Sequence, residues 1–322
     1  MISFTQINPD SQLPKGEAFA VVDKDGKVWG AFATQAAAKQ YIQHQKTDES
    51  LINPEILFVT IGPDTKEDLS EDIVNVPLRV TPIAVTKSIP ANVQAVYDAH
   101  NGAERDRDLQ PSGQSVIELA GRTCYAAYGR KSEKTDSHEG YIGNMISQAH
   151  WSVVEHASVT FHIQGISRAE THELVRHRHL SFSQESQRYV VVQRPYRVAL
   201  HPTLLKAYDK EDLLDTLICD FEYVETLYNE LREKGYNRKQ ASEAARAFLP
   251  NAASTEITVT GNLRSWVEFV SKRDSDAADA GIRKLAQAIG DQLSVMFPEV
   301  FGEDARPIWD KTCEQKGHTH GD

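Results

Sequence analysis

Residues 176–189 read RHRHLSFSQESQRY, which puts Arg176, Arg178, Arg188, His177 and His179 within fourteen positions. Guanidinium groups are planar, permanently charged forks that match phosphate oxygens. Ser181, Ser183 and Ser186 add hydroxyls, while Gln184 and Gln187 can each donate and accept, as recognition of a base edge requires. Glu185 is the one acid in the run. A cationic helix end would account for Arg176 and Arg178, because positive charge complements the helix dipole there. It does not account for ten further residues of polar character. The run therefore reads as a seat for an anionic ligand. Neither G-x-G-x-x-G after a strand nor G-x-x-x-x-G-K-[ST] occurs, so arginine side chains rather than a glycine-rich loop would hold a nucleotide.

A metal centre is the competing chemistry. His150, His156, His162, His172, His177 and His179 crowd into thirty residues, and HELVRH (172–177) nearly spells H-E-x-x-H. The second histidine is one residue late, and Arg176 stands where a ligand would be. On a regular helix a spacing of four leaves two ligands about 40° apart, whereas a spacing of five leaves them about 140° apart. No metal site is expected.

These residues need elements to position them. Ala157, Val159, Phe161 and Ile163 alternate with His156, Ser158, Thr160 and His162, so 152–163 reads as a strand with one buried face. SRAETHELVRH (167–177) reads as a helix, with Ser167 and Glu170 at capping-box spacing. YVVV (189–192) resembles a return to strand. Residues 213–233 carry a single apolar stripe from Leu214 to Leu231, and another runs from Ile282 to Met296. A helix from about Arg238 to Leu249 stops at Pro250, TEITVTG (255–261) is a short strand, and Trp266 to Lys272 is helical. Helices outnumber short, separated strands, which favours a mixed α/β (α+β) domain over a regular βαβ array.

Upstream, residues 17–33 read as two strands around an Asp25-Gly26 turn, 34–45 as a helix, and 55–61 as a third strand. Residues 1–70 thus form a small α+β module with no site chemistry, and the polar stretch 62–76 reads as a linker. The catalytic domain is expected over 75–312, followed by a polar tail, 313–322. The net charge of −11 argues against nucleic acid as the main partner. No membrane-spanning run or signal peptide is present, and three scattered cysteines exclude a disulfide framework; a reduced, cytoplasmic protein is expected. Cys124 reads as a packed small residue.

Arg176-His177-Arg178, then seven residues, then Ser186, resembles the R-H-R-x7-S motif of the flavin-dependent thymidylate synthases. GRTCYAAYGR (121–130), AHWSVVEHASVTFHIQGISR (149–168), RKQASEAARAFLPN (238–251) and TGNLRSWVEFVSKRDS (260–275) resemble the same family in order, over about residues 75–312. The resemblance implies a mixed sheet flanked by helices and a homotetramer with FAD sites shared between subunits. It also implies three substrates: dUMP, methylenetetrahydrofolate and NADPH. NADPH reduces the flavin, the folate supplies a carbon to C5 of the pyrimidine, and reduced flavin supplies the hydride that completes the methyl group.

Carried over by motif position, Glu173, Arg176, Gln184, Glu185, Ser186, Gln187, Arg188, Lys239, Arg246 and Arg273 resemble the dUMP-binding set. His150, Ser152, Glu155, Arg176, His177, Arg178, Gln184, Asn262 and Arg264 resemble the FAD contacts. Arg273 and Ser186 are assigned to the catalytic centre. With no adjacent His or Asp, Ser186 is expected to bind the nucleotide and not to act as a nucleophile. One stretch departs from the family: Ala277 stands where histidine is usual, and Gly281 where an acid is usual. The alternatives are C5 methyl or hydroxymethyl transfer on another pyrimidine nucleotide, and a non-catalytic nucleotide-binding regulator.

Overall fold

The structure is a computed structural model that describes residues 16–22, 28–32, 55–61, 72–100, 112–129, 132–303, 305, 306 and 308. The chain divides into two compact units, Met1–Asp68 and Leu69–Asp322. In the first, β1 (Gly16–Val22), β2 (Val28–Phe32) and β3 (Glu55–Ile61) form an antiparallel sheet in the order β2-β1-β3. The hairpin and third strand match the sequence reading. The Asp25-Gly26 turn, the helix expected over 34–45 and the tail 313–322 lie outside the described residues.

The second unit begins with β4 (Ile73–Asn75), β5 (Arg79–Val85), α1 (Pro90–Ala99), α2 (Gly113–Cys124) and α3 (His138–Ser147). Next come β6 (Ser158–Ser167), α4 (Arg168–Leu174), β7 (Ser181–Gln184), β8 (Tyr196–Val198) and α5 (Pro202–Ala207). The remaining elements are α6 (Lys210–Glu233), α7 (Arg238–Ala245), β9 (Ser254–Asn262), α8 (Leu263–Arg273), α9 (Ala280–Met296) and α10 (Pro298–Phe301). An antiparallel sheet of order β5-β6-β9-β7 carries the main core, which makes the unit mixed α+β.

Alternation builds that core. Val159, Phe161 and Ile163 of β6 and Ile257 and Val259 of β9 turn one face inward against α8 and α9. Trp266 of α8 meets Phe161 edge-on, with ring centroids 5.2 Å apart, and donates its indole N–H to the Val159 carbonyl at 3.2 Å. Each aromatic buried this way contributes roughly 1.5–3 kcal/mol. The α9 stripe is the one read from sequence, with Ile282, Leu285, Ile289 and Leu293 all buried. A smaller core joins Ile73, Tyr196 and Val198 to Leu214 and Phe221 of α6.

Several sequence expectations need correction. Residues 151–156 form a 3-10 helix, and the strand starts at Ser158. Val153 and Val154 are consecutive and both buried, which a strand with one inward face cannot achieve. The helix expected to reach His177 ends at Leu174, and the His177 N–H turns back to the Leu174 carbonyl at 3.1 Å. His177 therefore lies beyond the helix, and the angular count from His172 does not apply to it. Residues 189–192 are not a strand; the amides of Tyr189 and Val190 fold back onto the Ser186 carbonyl. Ile73–Asn75, read as linker, is a strand paired in parallel with β8, and Ile73 is fully buried. Cys124 is exposed.

Candidate active site

The RHR segment sits where α4 ends and β7 has yet to begin. The Ser167–Glu170 capping box forms as expected: Glu170 N–H donates to Ser167 Oγ at 3.2 Å, and Ser167 N–H donates to Glu170 Oε2 at 2.7 Å. That fixes the start of α4. Seven residues later the chain turns through Val175 and Arg176, leaving Arg176 and Arg178 exposed and His177 partly buried. Arg176, His177, Arg178, Ser265, Lys272 and Arg273 all border a cavity of about 420 Å³.

Arg273 ties the segment together. Its Nη1 lies 2.5 Å from Glu173 of α4, and its Nε–H donates to His177 Nε2 at 3.1 Å. Phe269 packs edge-on against the His177 ring at 5.0 Å. Burial first, then the Arg273 and Lys272 cations, push the His177 pKa down from 6.5 to about 4. At neutral pH the ring is uncharged, Nε2 accepts from Arg273, and the ring proton resides on Nδ1.

This shift has a stability consequence. An unfolded histidine titrates near pH 6.5, so below that pH the unfolded chain gains a proton that folded His177 refuses. The contribution is intact above pH 6.5 and is lost progressively as pH falls towards 4, by about 3 kcal/mol in all. In urea unfolding at pH 7 and pH 4.5, His177→Asn should show a smaller loss than wild type by about 2–3 kcal/mol.

A second group gathers at the far end of β7. Gln184, paired with Ile257 of β9, donates to Thr171 Oγ1 at 3.2 Å. The Glu185 amide bonds to the Glu256 carbonyl, after which the chain leaves the sheet. Ser186 Oγ accepts from the Arg188 amide at 3.3 Å. Glu243 of α7 holds the Arg188 guanidinium at 2.5–2.7 Å and lies 3.9 Å from Lys239. Both cations lie near the ring of Tyr189. Gln187 and Arg246 share one crevice. Helix α4 links the two groups, offering Glu173 to Arg273 and Thr171 to Gln184.

The remaining expected residues fall on β9, α8 and the 3-10 helix at 151–156. Asn262 caps α8, accepting from the Ser265 amide and hydroxyl at 2.9 Å. Arg264 and Glu155 form an ion pair with each other. His150 Nδ1 lies 2.9 Å from the Tyr125 hydroxyl. Ser152 is exposed and has no side-chain partner among the described residues.

Sequence reasoning missed Thr171, Glu243, Tyr125 and Phe269. Each acts by orienting a residue already in the set, and Glu243 lies 55 positions from the arginine it holds. No local pattern marks such a partner.

The departure at Gly281 has a structural counterpart. A Cβ at this position would lie 2.1 Å from Glu170 Oε1, so the Glu170 carboxylate fills the space that a side chain at 281 would need. Gly281→Ala should expel that carboxylate and dissolve the capping box. Chemical denaturation should then register a loss of about 1 kcal/mol.

Free donors border the cavity. Arg176 and Arg178 have no ion-pair partner among the described residues, whereas Lys272 pairs with Glu268. Two unpaired guanidiniums beside a neutral imidazole suit a diphosphate, so the residues fit a flavin dinucleotide.

Comparison with known proteins agrees with this chemistry. The sequence profile of the thymidylate synthase complementing protein family matches residues 108–299. A flavin-dependent thymidylate synthase of Mycobacterium tuberculosis is 41% identical over 239 residues, covering 70% of this chain and 90% of the relative. One from Mycobacteroides abscessus is 40% identical over 240 residues, covering 71% and 90%. In fold, the chain is similar to a UMP/dUMP methylase from Streptomyces cacaoi bound with 5-Br dUMP. That likeness has a TM-score of 0.52 at 20% identity, covering 71% of this chain and 95% of that one. With the RHR segment, Ser186 and their supporting partners in position, the chain belongs to the flavin-dependent thymidylate synthase family.

Proposed function

We propose that the chain catalyses reductive methylation of dUMP to dTMP, with methylenetetrahydrofolate as carbon donor and NADPH as the source of electrons. The catalytic domain spans 75–312 and works in the cytoplasm as a homotetramer whose subunits share active sites. No helix among the described residues is long and apolar enough to cross a membrane. The observation that carries the reading is the Glu173–Arg273–His177 junction, which couples the RHR segment to a nucleotide-side arginine.

In this reading FAD, when bound, supplies the hydride chemistry. Arg176, His177 and Arg178 hold its anionic part, with His150, Ser152, Glu155, Gln184, Asn262 and Arg264 as further contacts. Glu173, Gln184, Glu185, Ser186, Gln187, Arg188, Lys239, Arg246 and Arg273 bind dUMP, joined by Arg176. Activating C5 as a nucleophile towards the one-carbon unit places negative charge on the uracil carbonyl system. Arg273, fixed by Glu173 and His177, stabilises that charge without reorganising. Glu243 holds Arg188 in place before the nucleotide arrives.

Absorption spectroscopy with product analysis tests the proposal. Purified protein should show flavin bands that bleach under NADPH. Supplied with folate, it should convert dUMP to a product one methyl group heavier at C5. A colourless protein would sink the reading. Preferred turnover of UMP or dCMP, or a hydroxymethyl product, would redirect it to the alternative chemistry. Tight dUMP binding without tritium release from C5-labelled dUMP would identify a regulator instead.

A further inference from the structure

Glu170 sits in the first turn of α4 and belongs to none of the expected site sets. Its two carboxylate oxygens have different neighbours. Oε2 accepts from the Ser167 N–H at 2.7 Å, closing the capping box. Oε1 stands where a side chain at 281 would begin, since a Cβ there would lie 2.1 Å from it. The carboxylate therefore rests against the bare Cα of Gly281. That abutment is itself fixed. Asp279 caps α9, accepting from the Gly281 and Ile282 amides at 2.9 and 3.4 Å, and His201 Nε2 lies 3.2 Å from the Asp279 carboxylate. A cavity of about 270 Å³ borders Glu170, Gly281 and Leu285. Truncating Glu170 would enlarge it, because the surroundings of a shortened side chain relax only in part.

The same short helix carries the two contacts that serve the site. Thr171 receives the Gln184 amide at 3.2 Å, and Glu173, one turn beyond Glu170, holds Arg273 at 2.5 Å. Arg273 is the last residue of α8, and Gly281 lies at the start of α9. Glu173 to Arg273 and Glu170 to Gly281 are therefore two ties that brace α4 against both ends of the segment joining α8 to α9. A seven-residue helix has little bend in it, so a shift at one tie moves the other.

We propose that Glu170 is a positioning residue for the methylation: by propping α4 against Gly281 it sets where Glu173 holds Arg273. Its carboxylate fills the place at which this chain lacks the acid usual at 281. A carboxylate reaching in from α9 would brace the same gap. The proposal rests on the reading of the chain as a dUMP-methylating enzyme in which Arg273 stabilises charge on the uracil.

Tritium release from C5-labelled dUMP, set beside urea midpoints for the same variants of the FAD-loaded protein, separates positioning from stability. Glu170→Ala should lower kcat about 10-fold, part of the cost of losing Arg273, with a smaller change in KM for dUMP. In an Arg273→Ala background the same substitution should cost nothing further in kcat, because the group it positions is gone. Ser167→Ala removes the other half of the capping box and keeps the prop, so it should lower the midpoint but not kcat. Gly281→Glu alone sets two carboxylates in one space and should lower the midpoint. Combined with Glu170→Ala it should recover most of kcat. Glu170→Asp, one methylene shorter, should show part of the kcat loss and serves if the alanine variant does not fold. Unchanged kcat in Glu170→Asp, or losses that simply add in the Arg273→Ala background, would overturn the assignment while leaving the enzyme reading intact. Wild-type protein that released no tritium would overturn both.

Discussion

Arg273→Ala is expected to lower kcat for dUMP methylation by about 10²–10³-fold, the cost of removing one fixed donor to developing charge. The side chain is held by Glu173 at 2.5 Å and by His177 at 3.1 Å, so it is oriented before substrate binds. That orientation separates its effect from simple loss of affinity. KM for dUMP should rise less than kcat falls, because the interaction strengthens as charge moves onto the uracil carbonyls. Tritium release from C5-labelled dUMP measures the affected step. Arg273→Lys should recover little, since a lysine ammonium does not reproduce the planar fork. Near-normal release in the alanine variant would remove Arg273 from the chemistry.

The largest stability effect is expected at a buried ion pair of α2 that α3 joins through His138. Glu118 is fully buried, and Arg122 is only 1% exposed. Arg122 Nε–H donates to Glu118 Oε1 at 2.6 Å, and His138 Nδ1 lies 2.6 Å from Glu118 Oε2. The guanidinium also donates to the Ala127 and Thr135 carbonyls and lies 4.3 Å from the Tyr141 ring centroid. Glu118→Ala removes the buried carboxylate that Arg122 and His138 both face, and urea unfolding should show a loss of about 3–5 kcal/mol. Combining it with Arg122→Met should restore much of that, because an apolar pair carries no desolvation debt. A double variant no more stable than the single one would mean that the cost lies in packing.

How much was legible in the sequence follows from which contacts are local. β6 and β9 show in their alternation, and α6 and α9 in their stripes, because one face of each meets one core. The capping box at Ser167 was readable because both of its bonds span three residues. The end of α4 was not, since Arg176 and His177 are good enough helix formers and the turn is set by distant Arg273 and Phe269. β4 was hidden for a different reason. Three residues are too short for any period, and Ile73 owes its burial to Tyr196 and Phe221 more than a hundred positions away. Within the site, residue types announced an anion seat, but the partners that hold Arg188 and Gln184 come from other helices.

The seating of β7 explains why the interval between Arg178 and Ser186 is a fixed number. The chain must turn out of α4, run four residues in register from Ser181 opposite Thr260 to Gln184 opposite Ile257, and only then leave the sheet. Strand residues advance about 3.4 Å each and alternate faces. The interval is thus a ruler whose graduations are also left and right. An inserted residue would displace the serine by one step and, within the strand, turn Gln184 from Thr171 to the opposite face. Motif length here is a mechanical tolerance of one residue, set by the register of a four-residue strand.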